Sequence, residues 1–338
     1  MKEFIAGLPK AELHLHLEGS LEPEQMFEIA KRNQIDIPFR TIEEVKQAYQ
    51  FSNLQDFLDI YYTGMKVLIE ERDFYELTEA YLRKVAASNT RHVEVFFDPQ
   101  GHTERGIKFE TVLNGIATAL DVVGKELNIS YRLIMCFLRH LSEDSALETL
   151  NEAKPYLDKI DGVGLDSSEL GNPPEKFKNV FALAKSLDLK LVAHAGEEGP
   201  AEYVWQALNI LKVDRIDHGN RSLDDDKLVN RIINDGIALT VCPLSNLKLC
   251  VVKDMRDHPL KMMLDKGLLV TINSDDPSYF GGYMNENYFA VADALDLSEE
   301  ALVQLAKNSF MASFLSKAEK QGHIDQLNSY ITFYNTEK

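Results

Sequence analysis

Cysteine is scarce in this chain: 338 residues hold three, Cys136, Cys242 and Cys250. An odd number without framework spacing excludes a disulfide scaffold and suits a reducing cytoplasm. Tryptophan occurs once, and no apolar run reaches the roughly 18 residues that a membrane crossing takes. Met1 to Leu13 shows neither the basic start nor the apolar core of a signal peptide, so the expectation is a cytoplasmic protein with no membrane partner. Positive charge is also short, with 36 Lys and Arg against 54 Asp and Glu and a formal net charge of −18. Phosphate-binding partners call for clustered Lys and Arg, so no nucleic-acid partner is expected. A small neutral or cationic substrate remains open. Nothing in the composition fixes an oligomeric state.

What is present is a core and a repeating pattern. The apolar fraction of 45% is that of a globular protein, and the length is normal for one α/β barrel. Eight short β-rich runs stand out: 11–17, 91–97, 131–138, 162–166, 190–196, 215–219, 238–244 and 268–275. Amphipathic stretches such as PEKFKNVFALAKSLD separate them, the pattern of βα units around a parallel sheet. No linker divides the chain, so residues 1–338 are expected to form one TIM-type (β/α)8 barrel domain. The gap between the first two runs is about twice what one βα unit needs. It contains LQDFLDIYYTGMKVLIEERDFYELTEAYLRKVAA, expected to form extra helices inserted after the first strand, either a lid or a packing insertion.

Leu13 to Gly19 reads LHLHLEG. Strand alternation puts His14 and His16 on one face, with Cα atoms about 6.5 Å apart. Two imidazoles on that baseline can converge on one metal, and equally can be a hydrogen-bonded core pair. In a TIM barrel the active site lies at the C-terminal ends of the strands. Chemically capable residues crowd those ends here: His14, His16 and Glu18 on the first, His194 and Glu197 on the fifth, Asp217 and His218 on the sixth, Asp275 and Asp276 on the eighth. Taken singly, HxxE is a weak signal, a strand-end histidine is usually structural, and Asp-Asp-Pro is usually a turn. Together, three histidines and a carboxylate suit an open zinc site.

The motifs HLHLEGS, HAGEEGP, RIDHG, CPLSNLKL and NSDDPSYFGGY resemble, in order and over nearly the whole chain, the adenosine/adenine deaminase family of metal-dependent amidohydrolases. That resemblance implies hydrolytic deamination of a purine in salvage metabolism, with one divalent ion per chain, zinc. By position, His14, His16, His194 and Asp275 match the metal ligands. Glu197 matches the acid that protonates purine N1, His218 the residue that orients the attacking water and helps deprotonate it, and Asp276 the carboxyl facing N7. An ionised Asp276 could only accept a proton, so it must be protonated, or the 7H tautomer selected.

The resemblance also separates two branches, one acting on adenosine and one on free adenine. Where the adenosine branch carries a ribose-contacting Asp, this chain has Glu18, long enough to fill sugar space. VEVFFDPQGHTERG, CPLSNLKL and SDDPSYFGGY look like the adenine branch, and LDSSELG departs from the adenosine pattern on the fourth strand. Glu18 and Glu169 are the expected acceptors for the imidazole N–H that only a free base carries; the bland expectation makes both solvated rim acids. Activity on adenosine or on N6-substituted adenines of the cytokinin type, a silent metal-binding relative, and a purely structural barrel are the competing readings.

Overall fold

Eight parallel strands, alternating with helices, form the barrel in a computed structural model that describes residues 1–337. They are β1 (Lys10–His16), β2 (Thr90–Phe97), β3 (Ser130–Leu138), β4 (Gly162–Asp166), β5 (Lys190–Ala195), β6 (Arg215–His218), β7 (Ala238–Val241) and β8 (Leu269–Ile272). Each pairs with the next in sequence order. A parallel bridge between Leu15 and Asp275 joins the two edges, with His16 N–H donating to Asp275 O at 3.0 Å and Asp275 N–H to His14 O at 3.1 Å. This is the expected (β/α)8 architecture.

Five strands stop short of the expected ends, β1, β5 and β6 by one residue and β7 and β8 by three. Pro243 lacks an N–H and starts helix Pro243–Lys248, so β7 ends at Val241. His218 and Asp275 have φ of +62° and +64°, outside strand geometry. Asn273 keeps a backbone bond to Val241 O at 2.9 Å, but toward β1 its side-chain Oδ1 takes the place of a backbone acceptor, receiving the Leu13 N–H at 2.8 Å.

The barrel interior is not purely apolar below its mouth. Glu12 accepts from Tyr81 Oη at 2.7 Å and Ser274 N at 3.1 Å. Glu94 pairs with Arg215, whose Nη2 donates to Leu13 O at 2.9 Å. Arg215 and both acids are fully buried, so charge is not confined to the strand ends.

Between β1 and β2 lie helices Pro23–Asn33, Ile42–Ala48, Leu54–Gly64 and Glu71–Ala87. In the third, Leu54, Phe57, Leu58 and Tyr61 follow the i, i+3, i+4, i+7 spacing of a helix face and are all buried. Asn53 caps it, its side chain accepting from Asp56 N at 3.0 Å. Phe57 meets Phe280 with ring centroids 4.8 Å apart, which fixes the helix across the C-terminal end of the barrel. Both expected roles of the insertion meet here: the buried face belongs to the main core and also covers the cavity below. No helix among the described residues is long and apolar enough to cross a membrane.

Candidate active site

Strand alternation on β1 sends Glu12, His14 and His16 into the barrel, and the next turns bring His194, His218 and Asp275 to the same place. His14 Nδ1 lies 3.0 Å from Thr240 Oγ1, which donates to Asp217 Oδ1 at 2.9 Å. A hydroxyl that gives its proton to Asp217 must accept from His14, so Nδ1 carries the hydrogen and Nε2 is bare. That Nε2 is buried, has no hydrogen-bond partner, and lies 3.3 Å from Asp275 Oδ1. His194 Nδ1 faces Leu165 O at 3.2 Å. A carbonyl only accepts, so His194 Nε2 is bare as well. His16 Nδ1 faces Asp166 Oδ2 at 3.4 Å, which turns its Nε2 to the centre, 3.1 Å from His194 Nε2 and 3.5 Å from Asp275 Oδ1.

Bare imidazole nitrogens this close repel one another unless a cation lies among them. Burial keeps the rings neutral: it lowers the His16 pKa and, helped by the neighbouring imidazoles, takes His194 well below its ordinary value. For His14 burial acts the same way, but the Asp275 and Asp217 carboxylates outweigh it and lift the pKa. Burial would also raise Asp275, but His14, His218 and His16 hold it well below the usual carboxylate range. Neutral nitrogens and an ionised carboxylate are the donor set that zinc takes. His14, His194, His218 and Asp275 each also offer a ligand atom, all within 4.8 Å of one another.

Hydrogen bonding sets His218 apart from the other three histidines. His258 Nδ1 accepts Leu260 N–H at 3.2 Å, so its Nε2–H donates to Asn246 Oδ1 at 3.1 Å. That orients the Asn246 amide nitrogen toward His218 Nδ1 at 3.4 Å. His218 then carries its hydrogen on Nε2, 3.6 Å from both Asp275 Oδ2 and Glu197 Oε2. Burial lowers its pKa to about 3, so it is a hydrogen-bond donor and a weak base.

Glu197 follows β5 past Gly196, whose φ of +75° makes the turn. It is 4% exposed, and its Oε1 has no partner. Burial first, then Asp275 and Glu169, push its carboxyl well above the usual range. Asp276 lines the same cavity, buried, with Oδ1 unpartnered; burial and Asp275 raise it likewise, which favours the protonated form. A Cβ at Gly19 would run into the Asp276 carboxyl, so only glycine fits there.

Two expected substrate contacts point elsewhere. Glu169 is 1% exposed, neither lining the cavity nor solvated on the rim. Its carboxylate accepts the backbone N–H groups of Gly196, Glu197, Glu198 and Gly199 at 2.6, 3.1, 2.8 and 2.7 Å. It shapes the turn that carries Glu197. Glu18 is also 1% exposed and outside the cavity lining. Its Oε1 accepts from His102 Nε2 at 2.8 Å and from Asp98 N at 3.2 Å, because the short 3₁₀ turn Glu18–Ser20 carries the side chain beneath β2.

In their place the cavity is lined by Asp98 and Asp166, with Ser167, Tyr61 and Tyr62. The two aspartates sit at the ends of β2 and β4, so the rule that found the other strand-end residues reaches them too; the runs VEVFFDP and GVGLD carry the signal. Of the orienting pair, Asp217 stands among the strand-end residues of the sequence pattern, while Thr240 gave no comparable sign.

A (β/α)8 barrel with imidazole and carboxylate donors at its strand ends defines a metal-dependent hydrolase of the amidohydrolase class. The sequence matches the adenosine deaminase family model over residues 9–330, and the chain belongs to that family. It is 65% identical over 327 residues to an adenine deaminase of Sphingopyxis alaskensis, covering 97% of this chain and 96% of that one. The crystal structure of an adenine deaminase from Arthrobacter aurescens superposes with a TM-score of 0.95 at 47% identity, covering 96% and 99% of the two chains. An amidohydrolase from Burkholderia ambifaria, solved with bound Zn, gives 0.91 at 25% identity, covering 99% and 94%. The family is metal-dependent.

Proposed function

We propose that this chain is an adenine deaminase that hydrolyses adenine to hypoxanthine and ammonia, working as one barrel domain over residues 1–338. The observation that carries it is Glu197: a buried carboxyl with a free Oε1, raised by burial, in the cavity that His16, His194 and Asp275 also line, with His14 against Asp275. His14, His16, His194 and Asp275 would hold one zinc ion. A bound divalent ion lowers the pKa of water to about 7 and so supplies the nucleophile at neutral pH.

The chain's own residues do the rest. The attacking water is oriented between Asp275 Oδ2, which takes its proton and later passes it to the departing C6 amino group, and His218 Nε2–H, which donates to its oxygen. Attack at C6 breaks the aromatic ring, and Glu197 gives its proton to N1 as negative charge develops there. Asp276, protonated, donates to N7 of the 9H tautomer. Helix Leu54–Gly64 keeps bulk water off the reacting face, and ammonia leaves as the C6 carbonyl forms. Three free cysteines, two of them buried, suit a cytoplasmic setting.

Ammonia release from adenine, adenosine and N6-isopentenyladenine, before and after chelation, tests this. Adenine is expected to exceed adenosine in kcat/KM by at least about 10²-fold, the effect of two penalties of about 1–3 kcal/mol, with elemental analysis giving one zinc ion per chain. Comparable rates on adenosine would overturn the base assignment. Full activity in the metal-free protein would overturn the metal assignment.

A further inference from the structure

The cavity walls hold two acids that the proposed chemistry leaves unused, Asp98 and Asp166, whose carboxyls lie in one group with His16. Asp98, at the end of β2, is 2% exposed and lines the cavity. Its Oδ2 takes the Tyr61 hydroxyl at 3.2 Å, while its Oδ1 is buried with no partner. Glu18 holds its backbone N–H from below. A buried acceptor facing a cavity without a partner costs free energy unless a ligand supplies a donor.

Barrel order says which donor. Besides Asp275, four acids border the cavity in the sequence of the strands that carry them: Asp276 after β8, Asp98 after β2, Asp166 at the end of β4, Glu197 after β5. A purine read along the perimeter away from C6 presents N7, N9, N3 and N1 in that order. With C6 at the metal donors, N1 at Glu197 and N7 at Asp276, the N9 position falls to Asp98 and N3 to the β4 end, where Asp166 and Ser167 lie.

We propose that Asp98 accepts the N9–H of a free purine base, and thereby selects base over nucleoside; this rests on the deaminase function proposed above. The assignment moves that selection from Glu18 and Glu169, which face away from the cavity, to a carboxyl that faces into it. Either protonation state of Asp98 leaves a carbonyl oxygen able to accept. A sugar on N9 removes the donor and sets its bulk against Asp98 and Tyr61. Glu18 is then a positioning residue, acting through the Asp98 backbone.

The test is kcat/KM for adenine and for 9-methyladenine, which differ at the N9 position, read as ammonia release. The wild type is expected to prefer adenine, and Asp98→Ala to shrink that preference at least about tenfold, mainly by loss of activity on adenine. Metal content and a cooperative thermal transition show that the variant is folded and loaded. Should Asp98→Ala not fold, Asp98→Ser, which keeps a hydroxyl for Tyr61, decides on the same ratio. An adenine to 9-methyladenine ratio unchanged in a folded variant overturns the assignment of Asp98. A metal-loaded wild type that releases no ammonia from adenine overturns the deaminase function itself, so the two failures are distinct.

Discussion

Replacing Glu197 by glutamine changes one atom in the cavity and removes one capacity. The amide matches the carboxyl in shape and can still donate a hydrogen bond to purine N1, but it has no proton to give up. The site surrenders little binding by this change, because Oε1 has no protein partner and the residue is only 4% exposed. What is lost is proton transfer, worth about 10²–10⁴ in rate. At about 1.36 kcal/mol per decade this is about 3–5 kcal/mol of transition-state stabilisation. Glu197→Gln is therefore expected to lower kcat by at least about 10²-fold, with KM and metal content near wild type. The pH profile gives a second check. Burial, Asp275 and Glu169 raise the Glu197 pKa, so the acid keeps its proton to higher pH than an ordinary carboxyl and loses it as pH rises further. Wild-type activity should fall along an alkaline limb that the variant lacks. Stability runs the same way: the contribution of Glu197 is full below its unfolded pKa of about 4.3 and is lost as pH climbs through the folded value. Steady-state ammonia release across pH, on protein of known metal content, measures both. A kcat within a few fold of wild type, or an unaltered alkaline limb, would refute the proton-donor role.

Glu169→Gln should act on Glu197 from a distance. The amide has one acceptor oxygen where four backbone N–H groups are now held, and each buried N–H left unpaired costs about 1–3 kcal/mol. A lowered thermal midpoint and a kcat reduced at least about tenfold are expected, with metal content preserved; unchanged kinetics would remove its positioning role. The buried Glu94–Arg215 pair gives the acid side of the stability curve. Burial would raise Glu94, but Arg215 and His92 outweigh it and hold the carboxyl at about 2. Its contribution, of the order of 3 kcal/mol, is present above the unfolded value of about 4.3 and is lost as pH falls toward the folded one. The stability difference between wild type and Glu94→Gln should therefore shrink between about pH 5 and pH 2. A difference that stays constant over that range would show that the ion pair is not its source.

Period-two alternation and strand-end position marked His14, His16, His194, His218 and Asp275 as neighbours, and the structure brings them together; the resemblance implied which four would hold a metal. HLHLEG puts two imidazoles on one face of a strand whatever surrounds it, and eight β-rich runs separated by helices leave few arrangements other than a barrel. The family motifs then named Glu197, His218 and Asp276. Tertiary structure alone decided where the remaining acids point. Glu18 and Glu169 look like rim residues in sequence, yet one lies beneath Asp98 and the other inside a ring of four backbone N–H groups. Past the end of a strand, alternation no longer sets side-chain direction. It is set by single backbone turns, such as the positive φ of Ser167, His218 and Asp275, and by partners remote in sequence. Glu94 finds Arg215 across the barrel, and helix Leu54–Gly64 reaches a cavity built from six strand ends. Those contacts depend on closure of the sheet, which brings β8 against β1 and gives every strand end one common centre.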